Sequence, residues 1–168
     1  MIWINEFRFG AEYGMQTTSR NPIMLKKILV PTDGAERSER AAQAAIDLAS
    51  RLGGSVVTIS VAEPYPFPPI SESPYSGGSE AYERRAAELA REYVAKVASM
   101  AAYNNVACET LVVRAIDPCD AIVEAAHQHG CDAIFMGSHG RKGLNKLFAG
   151  SQTQKVMSRT ELPVMVFK

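Results

Sequence analysis

Residues 136–156 have the types and spacing best suited to chemistry in this chain. They read MGSHGRKGLNKLFAGSQTQKV, with two glycines three positions apart and, after nine further residues, a Gly-Ser pair. Gly137 and Gly140 can take positive φ and leave the backbone open to a ligand, so their amides can form a nest for anionic oxygens. Ser151 and Gln154 predict an S-x-x-Q box that caps the next helix, and helix N-termini favour phosphate. The stretch therefore predicts a polyphosphate site.

Positive charge is available inside this stretch, although the whole chain is neutral. Arg141, Lys142 and Lys146 lie between the second glycine and the Gly-Ser pair, while 18 basic and 18 acidic residues balance over the chain. A net charge of zero excludes the broad positive surface expected of a nucleic-acid-binding protein. We therefore expect a local anion site and no nucleic-acid partner.

The elements that must position these residues follow from the hydrophobic pattern. Helices are indicated over 41–52 and 80–102, between Asp117 and Gly130, and from Ser151 onward. Apolar strands are indicated at 26–30, 55–62, 106–114, 132–137 and 162–168. This alternation is typical of an α/β fold whose parallel sheet is covered by helices on both faces. We predict a Rossmann-like, doubly wound sheet of five strands in the order 3-2-1-4-5, with its ligand beyond the strand ends VPTDG and MGSHG.

Length and composition favour one domain. The 168 residues suit a single core, and we predict a poorly ordered extension over 1–24 followed by one domain over 25–168. The extension does not read as a signal peptide, and no apolar window has the length of a membrane span. Three cysteines without a CxxC pair suit a reducing cytoplasm, where we expect the protein to act. The Pro-rich loop 64–78 is predicted to arch near the ligand pocket.

A combination of motifs resembles a known family. MGSHGRKGLNKLFAGS is similar to the G-2x-G-9x-G-(S/T) signature of the ATP-binding branch of the universal stress proteins. KILVPTDGAERSERA, TISVAEP, DPCDAIVEAA and LPVMVFK are similar to other parts of that family, over about residues 25–168. The resemblance implies the 3-2-1-4-5 fold, ATP with or without Mg as the bound cofactor, and a homodimer formed through the last strand, 163–168.

The resemblance also implies roles for individual residues. Asp33 should face the adenine beside Pro31 and Thr32, and the backbone of Val61 should contact the edge of the base. The residues expected along the ribose and phosphates are Met136, Gly137, Ser138, His139, Gly140, Arg141, Lys142, Gly143, Gly150, Ser151, Gln152 and Thr153. This chain departs from the family pattern at Gln152 and Thr153, where Val and then Ala or Thr are usual.

Three functional classes remain open at this point. The favoured one is a regulatory or stress-response module that binds ATP and hydrolyses it slowly or not at all. An ATP-consuming enzyme of the PP-loop type would carry a glycine-rich phosphate loop directly after the first strand, where this chain has PTDGAERS. A partner-binding member that no longer uses nucleotide would be expected to lack the glycines.

Catalytic and metal sites are not predicted. No carboxylate pair, Ser-His-Asp set or catalytic lysine falls at the two strand ends, and His139 is interpreted as a phosphate contact or a structural residue. His127, His129 and Cys131 are interpreted as helix-end and packing residues, because alternate positions on a helix face different directions.

Overall fold

The computed structural model describes residues 25–66, 77–139 and 150–168. The strands are β1 (Lys27–Pro31), β2 (Ser55–Ala62), β3 (Ala107–Arg114), β4 (Ala133–Gly137) and β5 (Val164–Phe167). The helices are α1 (Glu36–Leu52), α2 (Gly77–Tyr103), α3 (Pro118–Gln128) and α4 (Ser151–Arg159). The extension 1–24 and most of the Pro-rich loop lie outside the described residues, as do four predicted site residues: Gly140, Arg141, Lys142 and Gly143.

The sheet has the predicted order and direction. All five strands are parallel and follow the order β3-β2-β1-β4-β5, so the doubly wound fold is confirmed. Successive residues of a strand point to opposite faces, and each face is buried against its own pair of helices. Ile28 and Val30 pack with α1 and α2, whereas Leu29 packs with α3 and α4.

Helix boundaries agree with the local signals at two places. Helix α1 ends directly before the predicted stop at Gly53. Asp117 is the N-cap of α3, where its carboxylate accepts a hydrogen bond of 3.2 Å from the amide of Cys119, and Pro118 occupies the first helical position. In the described ranges, no helix combines the length and the apolar character needed to cross a membrane.

Candidate functional site

The carboxyl ends of β1 and β4 lie side by side at the centre of the sheet. Ile28 and Leu29 of β1 are paired with Ala133 and Ile134 of β4, while the other edge of β1 is paired with β2. The chain leaves β1 toward α1 on one face and leaves β4 toward α4 on the other, which opens a crevice between the two turns. The ends of β1 and β4 therefore lie next to each other, as predicted from the sequence.

The turn after β1 is held by its own side chains. The Asp33 carboxylate accepts a hydrogen bond of 3.1 Å from the amide of Ala35, and the Thr32 hydroxyl accepts one of 3.3 Å from the amide of Gly34. The amide of Thr32 donates to the Ile59 carbonyl at 2.8 Å, which prolongs the β1–β2 ladder by one bond. Gly34 has φ of 75°, a conformation that favours glycine. These contacts fix Asp33 at the mouth of the crevice.

Val61 lies two residues beyond the last residue pair of β1 and β2, which joins Pro31 and Ile59. Alternate residues of a strand direct their backbone groups to the same neighbour, so Val61 faces the same side as Ile59. The Ile59 carbonyl faces β1, because it accepts from Thr32. The amide and carbonyl of Val61 are therefore directed over the crevice, beyond the point where β1 has turned away.

The first turn of α4 is attached to the end of β4 by three hydrogen bonds. The amide of Gly150 donates to the Ser138 carbonyl at 2.6 Å. The hydroxyl of Thr153 donates to the carbonyls of Gly137 and Ser138 at 3.0 and 3.2 Å. The amide of Ser138 in turn donates to the Phe167 carbonyl at 2.6 Å, which links the same segment to β5. Thr153 is buried, so its hydroxyl is committed to the backbone in this structure.

The predicted capping box at Ser151 is wrong. Gly150 is the N-cap, Ser151 is the first helical residue, and no side chain bonds to the cap amides in the described structure. The bond from Gly150 to Ser138 holds Gly150 in an extended conformation (φ −63°, ψ 161°), so the helix begins one residue earlier than the predicted cap at Ser151 indicated. The backbone amide of Gln154 instead donates to the Gly150 carbonyl, as in any helical residue. The amides of the first turn thus have no side-chain cap, and helix N-termini of this kind can bind anions.

Gly137 also differs from the prediction. It is the last residue of β4 and does not take positive φ. A Cβ at this position would lie 3.0 Å from the carbonyl carbon of Arg37 and from the amide nitrogen of Ser38. The absent side chain therefore lets the first turn of α1 pack against the end of β4. Helix α1 also lacks a side-chain N-cap, so two uncapped helix N-termini approach the crevice.

His139 lies two residues after the end of β4 and is partly buried. Its Nδ1 lies 3.3 Å from the Ser138 hydroxyl oxygen. Met136, in β4, is buried in the core on the face of the sheet covered by α3 and α4. The structure thus brings Pro31, Thr32, Asp33 and Val61 together with the ends of β4 and α4.

Gln152, one of the two departures from the family pattern, has an unusual environment. Its side-chain oxygen Oε1 is buried and has no hydrogen-bond partner, and within the described ranges it is the one buried side-chain polar atom in that state. Buried polar atoms are nearly always paired. The sequence showed an unusual residue at this position, but only the structure shows that Oε1 lacks a hydrogen-bond partner.

A clamp between α3 and α4 was missed by the sequence reasoning. Lys155 of α4 donates to the Asp117 carboxylate at 3.1 Å, and Arg159 pairs with both Asp117 and Asp120. The hydrogen bond from Lys155, together with the Cys119 amide and the positive charge of Arg159, holds the pKa of Asp117 below its usual value. Nothing in the local sequence relates residues almost forty positions apart, so only the packing of the helices could show this contact.

The metal interpretation of the two histidines gains no support. His129 Nδ1 lies 3.1 Å from a carboxylate oxygen of Glu109 across the sheet edge. In the part of the chain that the structure describes, no three histidine, cysteine or acidic residues are grouped as metal ligands. Burial raises the pKa of the Cys131 thiol to about 11 and also raises that of Cys119, which suits packing residues.

Comparison with known proteins identifies the family. Residues 24–168 match the universal stress protein family. The chain belongs to this family. It is 33% identical over 145 residues to universal stress protein MJ0531 of Methanocaldococcus jannaschii, covering 86% of this chain and 83% of that protein.

Solved structures of universal stress proteins have the same fold. Protein MJ0577 of the same archaeon superposes with a TM-score of 0.69 at 26% identity, covering 86% of this chain and 96% of that one. A universal stress protein in complex with cAMP (TM-score 0.62, 20% identity) covers 85% and 97% of the two chains. One from Archaeoglobus fulgidus in complex with dAMP (TM-score 0.58, 21% identity) covers 86% and 99%.

Proposed function

We propose that this universal stress protein binds ATP, with or without Mg, as a regulatory module of the stress response that hydrolyses the nucleotide slowly or not at all. The observation that carries the proposal is the first turn of α4. Its amides have no side-chain cap, and Thr153 and Gly150 bind it directly to the end of β4. An uncapped helix N-terminus held rigidly at the crevice of a doubly wound sheet suits phosphate.

The other half of the crevice suits the base. An adenine edge carries a donor, the exocyclic amine, beside an acceptor, the ring nitrogen. The Val61 carbonyl and amide, which extend beyond the β1–β2 ladder, offer the complementary pair. Asp33 lies on the turn next to β1 and offers a carboxylate to the amine, whereas a carboxylate would repel phosphate. This polarity supports an arrangement with the base at β1 and β2 and the phosphates at β4 and α4.

The relatives supply the ligand class. Two universal stress proteins of the same fold were solved with cAMP and with dAMP, and both molecules are adenine nucleotides. The predicted phosphate contacts at Gly140, Arg141, Lys142 and Gly143 would complete the site from the loop between β4 and α4. Three free thiols in the described structure favour a reducing cytoplasm as the place of action.

The proposal is tested with the full chain. Native mass spectrometry of freshly purified protein should find a retained adenine nucleotide, and calorimetry of stripped protein should give saturable heat with Mg-ATP and much weaker binding of Mg-GTP. A stripped, folded protein that binds neither nucleotide would favour the alternative of a partner-binding member that does not use nucleotide.

Binding without efficient turnover is a separate part of the proposal. His139 is the one histidine at the crevice in the described ranges, and its Nδ1 contact is the hydroxyl of Ser138. Hydrolysis needs an oriented water and neutralisation of the phosphate charge, which a lone histidine does not provide. His139→Ala should therefore lower ATP affinity and any weak turnover together. A large loss of single-turnover rate at unchanged affinity would support an ATP-hydrolysing enzyme instead.

We also propose a homodimer formed by antiparallel pairing of β5 strands. Among the described residues, strand β5 lies at an edge of the sheet, because β4 is its one hydrogen-bonded neighbour there. Met165 is 49% exposed on this edge, and the strand VMVF carries no charged residue. Exposed apolar edge strands favour pairing with another chain.

A further inference from the structure

Gln152 combines a buried, unpartnered carbonyl oxygen with a position at the candidate site. It is the second residue of α4, next to Thr153, which binds the carbonyl oxygens at the end of β4. Leaving a buried acceptor unpaired costs stability, so such an atom calls for a partner that is absent from the described structure.

The helix geometry indicates which way the side chain extends. Gln152 and Val156 are four residues apart and so share one side of α4. Val156 is fully buried in the core between α4, α3 and the sheet. Gln152 lies one turn nearer the start of the helix, and side chains on a helix lean toward its N-terminus. The side chain therefore extends toward the end of α4 that adjoins the carboxyl end of β4.

We propose that Gln152 is a specificity-determining residue that binds a ribose hydroxyl of the nucleotide, an inference that rests on the proposed function. The unpaired Oε1 needs a hydrogen-bond donor. An adenine nucleotide has donors at its exocyclic amine and at the ribose hydroxyls, whereas its ionised phosphate oxygens are acceptors. In the proposed arrangement the amine lies at the end of the crevice formed by Asp33 and Val61, so the ribose hydroxyls are the donors of the nucleotide that remain.

A hydroxyl also suits the chemistry of the amide. It donates to Oε1 and accepts from the side-chain NH2, so it satisfies the glutamine in either orientation of the amide. A site that binds a hydroxyl in this way discriminates against an analogue that lacks it, because the buried Oε1 is then left unpaired. A valine at this position would have no group that can make this distinction.

The test compares three ligands on the full-length protein by calorimetry: ATP, 2′-deoxy-ATP and 3′-deoxy-ATP. The wild type should bind ATP about 5- to 150-fold more tightly than one of the two deoxy analogues, the range that one hydrogen bond to a buried group supplies. Gln152→Val should bind all three ligands with similar affinity. Gln154→Val is the matched control, since Gln154 is an exposed residue of the same helix, and it should retain the wild-type preference.

The outcomes separate this inference from the proposed function. Equal binding of the three ligands by the wild type would overturn the ribose contact while leaving ATP binding intact. Failure of the folded wild type to bind any of them would overturn the proposed function and this inference with it. A preference that persists in Gln152→Val would assign the discrimination to another residue. If that variant does not fold, Gln152→Met, which keeps the length of the side chain, replaces it, and the wild-type comparison still decides.

Discussion

Thr153 in α4 donates a hydrogen bond of 3.0 Å to the carbonyl of Gly137, sixteen residues earlier at the end of β4. The same hydroxyl contacts the Ser138 carbonyl at 3.2 Å. One buried side chain thus sets the distance between the last residue of a central strand and the helix whose amides face the crevice. The position of the first turn of α4, which we propose binds phosphate, therefore depends on this attachment.

Thr153→Val keeps the shape of the side chain and removes both hydrogen bonds. The variant should lose about 1–3 kcal/mol of unfolding free energy, because the Gly137 carbonyl loses its side-chain donor and the Ser138 carbonyl keeps only the Gly150 amide. ATP affinity should fall as well, since the first turn of α4 is no longer held in place. Thr110→Val, on the exposed edge strand β3, should change stability by less than about 0.5 kcal/mol in the same urea titration. A Thr153→Val variant as stable as the control would show that the two Thr153 hydrogen bonds are dispensable.

Gly137→Ala and Gly78→Ala should change stability in opposite directions. A methyl group at Gly137 would lie 3.0 Å from the backbone of Arg37 and Ser38, whereas one at Gly78 would meet nothing within 4 Å. We expect Gly137→Ala to lose about 1–3 kcal/mol through overpacking. Gly78→Ala should gain up to about 1 kcal/mol, because alanine restricts the unfolded chain and favours the helix. Urea midpoints of the two variants check this, and a neutral Gly137→Ala would contradict the close packing of α1.

Val166→Pro should abolish the proposed dimer without unfolding the protein. The carbonyls of Pro163 and Phe167 accept bonds from β4, so odd-numbered residues of β5 face β4 and the amide of Val166 faces the open edge. Proline at Val166 removes a donor that only a second β5 strand would use. Met165→Pro is the matched control, since its amide faces β4 and its loss should destabilise the fold. Light scattering at micromolar concentration should show a dimer for the wild type and a folded monomer for Val166→Pro; a dimer in both would exclude pairing through β5.

Stability should decrease at alkaline pH through Cys131. Burial raises the pKa of this thiol from 9.0 to about 11, so between these values the folded protein keeps a proton that the unfolded chain releases. Unfolding is then favoured as the pH rises. The contribution of Cys131 to stability is complete below pH 9, and by pH 11 the protein should have lost an unfolding free energy on the order of 2 kcal/mol. Urea titrations at pH 8 and pH 10.5 should show a larger loss for the wild type than for Cys131→Ala. Parallel losses in the two proteins would indicate that other groups cause the alkaline transition.

Local patterns were sufficient for the elements and for their order along the chain. Strand β2 has its predicted bounds, and Asp117 caps α3 as its Asp-Pro signal indicated, because both depend on residues adjacent in sequence. The parallel 3-2-1-4-5 sheet also followed from the sequence, since alternating strands and helices with right-handed crossovers leave few arrangements. That order in turn placed the ends of β1 and β4 together.

Contacts between distant segments could not be derived in this way. The local sequence indicated Ser151 as the N-cap of α4, yet Gly150, which bonds to Ser138, is the N-cap in the structure. The local sequence indicated that Gly137 forms a turn facing the ligand, yet in the structure the absence of a Cβ there makes room for the first turn of α1. The sequence by itself determined the strands and the meeting of the ends of β1 and β4, because the burial and periodicity that define strands act locally. Only the tertiary structure decided which residues of the candidate site bind the backbone and which, like Gln152, present an unpaired atom, because hydrogen-bond partners are selected by packing in space.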